Sequence, residues 1–195
     1  AFKGQPGYLG LAEGDVKDSR FVARLFEGEP WDEVFHLAAS IHVQGSIDDP
    51  WPTVRNDVEG TLVVLEQARS QYFALNGLDT KKKSFDYDRD VPKLARRAPR
   101  VAVMSTCMVY DASGGTAITE SHPYLPRSPY GAAKIGADML AVSYAMTYRM
   151  PVTVVRPFNT YGPFQKSNSE GGVVSIFLKR DLEGKPLLVK GDGKQ

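Results

Sequence analysis

Cysteine is almost missing from this chain. Cys107 stands alone among 195 residues, which excludes an intrachain disulfide and any zinc site built on cysteines. Histidine is nearly as scarce, with three residues, and His42 and His122 stand apart from cysteine or carboxylate partners, so no metal site is expected. Charge of one sign is also lacking. The net value of +1 gives no pull toward nucleic acid or an anionic membrane surface. No apolar run approaches the ~20 residues of a membrane span, and the opening residues lack the basic-then-apolar order of a signal peptide. Together with a cysteine content suited to a reducing compartment, these absences set the expectation of a cytoplasmic protein without nucleic-acid or membrane partners. What the chain does have is a 42% apolar content, enough to bury a core.

Short apolar runs alternate with helical patterns, the signature of a parallel sheet with crossover helices. Residues 9–13 read as a strand leading into Gly14-Asp15-Val16. Asp18 then caps a helix with Phe21, Val22, Leu25 and Phe26 on one face, stopped by Gly28 and Pro30. Residues 34–39 form a near-continuous apolar run, as for a strand buried on both faces. Asp49-Pro50 opens a second helix with Val54, Val58, Leu62 and Leu65 at spacings of three and four, running to about Arg69. A strand over 101–105 follows, then a helix capped by Ser128-Pro129, a strand over 152–156, a helix over 173–182 closed by Gly184, and a short strand over 187–190. The stretch near 70–100 is too long for an ordinary connection of ~2–6 residues. It reads as a basic insertion, in the main a solvated loop.

One constellation carries chemistry. Tyr130 and Lys134 lie four residues apart at a helix start, so both project from one face. Ile135, Met139, Val142 and Met146 form an apolar stripe roughly opposite, while Ala137 and Ala141 keep the Tyr/Lys side open to close approach. A Lys cation beside a phenol is expected to lower its pKa from about 10, making a general base for an alcohol or sugar hydroxyl. Ser105-Thr106 ends a buried strand, where parallel sheets present side chains to a ligand crevice. By itself the Tyr/Lys spacing is common, and plainer roles exist for the other residues: Asp15 can start a turn, Asn56 can tie backbone inside a helix, and His36 can be a packed strand histidine.

The ordered set of segments is specific. His36-Leu37-Ala38-Ala39, Asn56 with Gly60-Thr61, Ser105-Thr106 with Val109-Tyr110, Tyr130 followed by Lys134, Arg156-Pro157-Phe158-Asn159-Thr160-Tyr161-Gly162-Pro163 and Gly191-Asp192-Gly193 together resemble the extended short-chain dehydrogenase/reductase family, in particular its nucleotide-sugar epimerases and dehydratases. The resemblance runs from about Gly14 to the end and is interrupted only by the insertion. It implies an α/β fold: a Rossmann-like parallel sheet with crossover helices, incomplete here, plus the start of a small substrate-binding domain. Residues 1–165 would be a partial NAD(P)-binding domain and 166–195 the beginning of the substrate-binding part.

By the same resemblance Tyr130 is the catalytic base, Lys134 holds the nicotinamide ribose, and Thr106 is the catalytic hydroxyl. Asp15, Val16, Leu37, Ala38, Ala39, Ser105 and Pro157, with Tyr130 and Lys134, would hold the cofactor. Thr106, Asn159, Val173 and Val174 would face the sugar nucleotide. The implied cofactor is NAD, with NADP open, and the implied assembly is a homodimer. The family's Gly-rich phosphate loop does not occur in this sequence, and both ends read as cut. Dehydratases of the family place an acidic pair, or at least a Glu, after the catalytic Thr, to remove water from the 4-keto sugar. Cys107 and Met108 stand there instead, and a methionine transfers no protons. The expectation is therefore 4-epimerisation of a nucleotide sugar, with 4,6-dehydration, keto-sugar reduction, or a non-catalytic dinucleotide sensor on the same fold as the alternatives.

Overall fold

A computed structural model describes residues 10–78, 85–94, 98–115, 117–168, 172–189 and 191–193. Contacts divide the chain into two compact units, one ending at Val155 and one beginning at Arg156.

The first unit is built on three parallel strands in the order β1-β2-β3: β1 Glu33–His36, β2 Arg100–Met104 and β3 Val152–Val155. Register sets Val34 beside Val101 and Val103 beside Val154. This Rossmann-like parallel arrangement sends all three carboxyl ends to the same edge. Helix α1, Ser19–Leu25, begins where the Asp18 carboxylate accepts the N–H groups of Arg20 and Phe21, the cap expected from the sequence. Residues 10–13, by contrast, form no strand, since no described strand offers them a hydrogen-bond ladder.

The segment after β1 differs most from expectation. A short helix, α2 Val43–Asp48, precedes α3 Pro50–Val54, and a single π-helical turn, Arg55–Glu59, joins α3 to α4 Gly60–Leu75. Pro50 stands at the helix start with the Asp49 carboxylate accepting the Trp51 N–H. The buried face is not the expected apolar stripe. Val54 and Leu62 are exposed, whereas Thr53, Asp57, Thr61, Leu65 and Ala68 are buried. Polar side chains take the inward positions because they meet the site described below rather than an oily core.

Helix α6, Pro129–Tyr148, repeats this inversion. Tyr130, Lys134, Ala137, Asp138, Ala141 and Tyr144 are buried, while Met139, Val142 and Met146 face outward. The core lies between α4, α6 and one face of the sheet, where Leu65, Ala68, Tyr72 and Phe73 meet Val101, Val103, Ala141 and Met150. Strand alternation puts Phe35 on the opposite face, 67% exposed. The expectation of a strand buried on both faces is thus corrected: no described element covers that side.

The insertion is not simply a solvated loop. Its described part holds α5, Tyr87–Asp90, and Phe85 stacks on Phe73 with ring centres 5.4 Å apart. Tyr72 donates its hydroxyl to the Leu94 carbonyl at 2.9 Å, and Leu94 is buried. Its basic run Lys81-Lys82-Lys83 lies outside the described residues.

In the second unit, α7 spans Val173–Leu182 and is followed by Gly184 at φ +64°, the left-handed position that favours glycine. Residues 187–189 form no strand and are exposed, because no described strand pairs with them. No helix among the described residues is long and apolar enough to cross a membrane.

Two substitutions test the buried face of α4. Leu65→Ala, at a fully buried position, is expected to cost about 2–5 kcal/mol. Leu62→Ala, three residues earlier and 38% exposed, should cost far less. Urea midpoints of the two variants should differ clearly, and equal losses would overturn this assignment of the inward face.

Candidate functional site

The start of α6 is held in place by several independent contacts. Ser128 accepts the Gly131 N–H at 3.2 Å, and Pro129 occupies the first helical turn, where its missing N–H costs nothing. The Tyr130 N–H is capped from another helix: it donates to the Ser46 hydroxyl of α2 at 3.0 Å, which itself donates to the Val43 carbonyl at 2.6 Å. Gly131 matters for space. A Cβ there would sit 3.0 Å from the Met108 carbonyl oxygen, so glycine lets the helix start close against the 3₁₀ turn Cys107–Val109.

This packing gathers the Tyr, Lys and Thr side chains at the carboxyl end of β2. The Tyr130 phenol lies close enough to the Thr106 hydroxyl for the two to interact. One turn along α6, Lys134 donates from Nζ to the Met104 carbonyl at 3.1 Å and lies 3.6 Å from Asp57 Oδ2. Tyr130, Lys134, Thr106 and Ser105 are all buried, and the Ser105 hydroxyl has no hydrogen-bond partner among the described residues.

The electrostatics differ from the sequence expectation. Burial raises the Tyr130 pKa; the Thr106 hydroxyl opposes this, and the negative charge of Asp57 adds to it. The Lys134 ammonium meets the Met104 carbonyl and Asp57, and desolvation is the largest influence on the phenol. The Lys134 pKa is itself lowered by burial, against the pull of Asp57. His36 is a packed histidine: its Nε2 meets the Thr61 hydroxyl at 3.0 Å, and Thr61 donates to the Asp57 carbonyl at 2.5 Å. Burial, then the nearby Lys134 charge, pushes the His36 pKa down to about 4.

An open cleft of about 480 Å³ lies at the same edge of the first unit, lined by Gly14, Asp15, Val16, Lys17, Ala38, Ala39 and Asn56. Asp15 also serves its own turn, accepting the Lys17 N–H at 2.8 Å and pairing with the Lys17 ammonium. Gly60 brings α4 close to this cleft, since a Cβ there would approach Val16 Cγ1 to 2.6 Å. Leu37 follows β1 and is exposed. Pro157, Asn159, Val173 and Val174 fall in the second unit, Pro157 half-buried and the other three exposed. Among the described residues no group of three or more His, Cys, Asp or Glu could hold a metal ion.

Two residues at this site carry no mark in the sequence reading. Asp57 is fully buried beneath Lys134, and its Oδ1 accepts the Ser40 N–H at 2.6 Å and the Asn56 amide at 3.2 Å. The recurrence of Thr53, Asp57 and Thr61 every four residues is the signal that points to it. Ser46 belongs to a six-residue helix, Val-Gln-Gly-Ser-Ile-Asp, whose central glycine hides it from propensity.

The family model described as GDP-mannose 4,6 dehydratase matches residues 3–195. The chain belongs to the extended short-chain dehydrogenase/reductase family. Among solved structures it is similar to Pal from Bacillus thuringiensis, at 44% identity over 93% of this chain and 50% of that one, TM-score 0.75. It is also similar to a double mutant of the dTDP-glucose 4,6-dehydratase DesIV from Streptomyces venezuelae, with NAD and DAU bound: 30% identity, 98% and 50% coverage, TM-score 0.74. A third neighbour is the UDP-glucose 4-epimerase of Thermotoga maritima with UDP-glucose: 28% identity, 94% and 52% coverage, TM-score 0.71. The chain spans about half the length of the curated relatives it matches; with the dTDP-glucose 4,6-dehydratase of Xanthomonas campestris pv. campestris (strain B100) it shares 35% identity over 95% of its own length and 48% of that protein's.

The buried His36 makes stability depend on pH. An unfolded histidine takes its proton near pH 6.5 and the folded one only near 4, so stability falls as pH drops through that window, by at most about 3 kcal/mol. In His36→Gln this contribution is gone. The gap in urea midpoint between wild type and variant should therefore narrow between pH 7 and pH 5, and a constant gap would contradict a neutral buried His36.

Proposed function

We propose that the protein carrying this chain epimerises a nucleotide sugar at C4 with NAD, through a transient 4-keto sugar, and that Tyr130 is the base. The observation that supports this best is the burial of Tyr130, Thr106 and Lys134 together at the carboxyl end of β2, where Lys134 Nζ donates to the Met104 carbonyl. The names of the relatives, dehydratases and epimerases of nucleotide sugars, support the same substrate class.

The residues present fit a dinucleotide. Asp15, Val16, Ala38 and Ala39 line the cleft, and Leu37 follows β1 next to them; Asp15 and Val16 would meet the adenine, and Leu37, Ala38 and Ala39 would line the cofactor mainly through backbone. The buried hydroxyl of Ser105 has no described partner and is a free polar contact for a ligand at the strand end. Lys134 and Tyr130 would hold the ribose next to the reacting carbon, and by resemblance Pro157 is a further cofactor contact. NADP is the alternative cofactor. When bound, NAD accepts the C4 hydride and returns it, so the reaction as a whole leaves it unchanged.

The protein's own groups do the rest. Thr106 orients the C4 hydroxyl, and Tyr130 takes its proton as the C–H bond breaks, leaving the 4-keto sugar. After the sugar presents its other face, Tyr130 gives the proton back and the inverted alcohol forms. Asn159, Val173 and Val174 are assigned to the sugar nucleotide. Epimerisation is preferred over dehydration because the turn after Thr106 carries Cys107 and Met108, neither of them a carboxylate. Dehydration is the second reading, favoured by the name of the curated relatives. A non-catalytic dinucleotide sensor is disfavoured by the intact Tyr130 and Lys134. The outward apolar stripe of Leu62, Met139, Val142 and Met146 supports a homodimer formed through these helices.

Incubation with NAD and a panel of nucleotide sugars should yield C4 epimers without 4-keto-6-deoxy sugar, and accumulation of the latter would replace epimerisation by dehydration. Tyr130→Phe should lower kcat by about 10²–10⁴-fold and leave dinucleotide binding nearly intact. Undiminished turnover would remove Tyr130 from its role.

A further inference from the structure

Asp57 has no part in the steps above, yet its burial has to be explained. A carboxylate taken out of water is costly unless paired and hydrogen-bonded. Its Oδ1 is used twice, by the Ser40 N–H at 2.6 Å and the Asn56 amide at 3.2 Å. Its Oδ2 is buried, has no hydrogen-bond partner among the described residues, and faces Lys134 Nζ at 3.6 Å. Ser40 directly follows Ala38 and Ala39 of the cleft, and Asn56 is itself in the cleft wall. One side chain therefore joins the loop after β1 to the ammonium beside Tyr130.

We propose that Asp57 is a positioning residue for the reaction: its carboxylate holds the Lys134 ammonium in its charged form below the cleft and fixes the backbone at Ser40 that shapes the cleft wall. The inference rests on the proposed role of Tyr130 and Lys134 and extends it to a third charge. Lys134 meets Asp57 from the helical segment after β1, Asp138 from its own helix and His36 from β1; Tyr130 meets Thr106 and Cys107 from the turn after β2, and Asp57. His36 is neutral over most of the working range, so Asp57 is the charge from outside α6 that both site residues share. It acts on them in one sense: a negative charge makes Tyr130 harder to ionise and Lys134 harder to deprotonate.

Asp57→Asn tests this in the full protein carrying the chain, since the amide can still accept from Ser40 while the charge is gone. Both limbs of the kcat/KM pH profile should move to lower pH by on the order of one unit. A lowered rate with unmoved limbs would mean a structural role only, and would overturn the proposal. Titration of tyrosinate absorbance, with Tyr130→Phe as background, reads the same shift without turnover. If Tyr130→Phe keeps full activity, the catalytic reading fails, but this titration still decides whether Asp57 acts on the phenol. If Asp57→Asn does not fold, the double variant Asp57→Asn/Lys134→Met decides: recovery of a folded protein supports the charge pair, and a double variant that also fails to fold refutes it.

Discussion

The Lys134 side chain is the interaction on which the site's arrangement depends. It leaves α6, crosses to the last carbonyl of β2, and ends against a carboxylate from the helical segment after β1. Three pieces of chain that are far apart in sequence are drawn to one point. A cation this deeply buried needs all of its partners, because an incomplete set would favour its neutral form or a looser structure. Tyr130 gains its place from the same convergence, through the Thr106 hydroxyl on one side and the Ser46 cap on the other.

Much of this was legible in the sequence. The Tyr130/Lys134 spacing, the strand ending in Ser105-Thr106, and the caps at Asp18, Asp49 and Ser128 are local features, and local physics places them. Long helices and central strands were legible for the same reason. The failures have a common cause as well. An apolar stripe marks the inward face only when the inside is apolar. In the π-helical turn before α4 and at the start of α6 the inside is a polar site, so Asp57 and Lys134 point in, while Leu62 and Met139 point out. Periodicity found the helices and assigned them the wrong side.

The pKa of Tyr130 shows the same limit. Spacing suggested a phenol helped by its lysine, but spacing does not report where an ammonium ends. In the folded protein it ends on a carbonyl and a carboxylate, and desolvation governs the phenol. The residue types announced the chemistry, whereas the balance of charges depended on a residue from a distant segment.

The π-helical turn over Arg55–Glu59 bears on how sequences of this kind should be aligned. Residues four apart on an α-helix drift by roughly 40°, and two such steps would carry Thr53, Asp57 and Thr61 around the cylinder. A wider turn slows the drift and keeps the three under one roof. Losing a single residue there would leave composition and hydropathy almost untouched, yet would swing the carboxylate away from the ammonium. A one-residue gap at this point would change which side chain faces Lys134 while the flanking helices stay as they are.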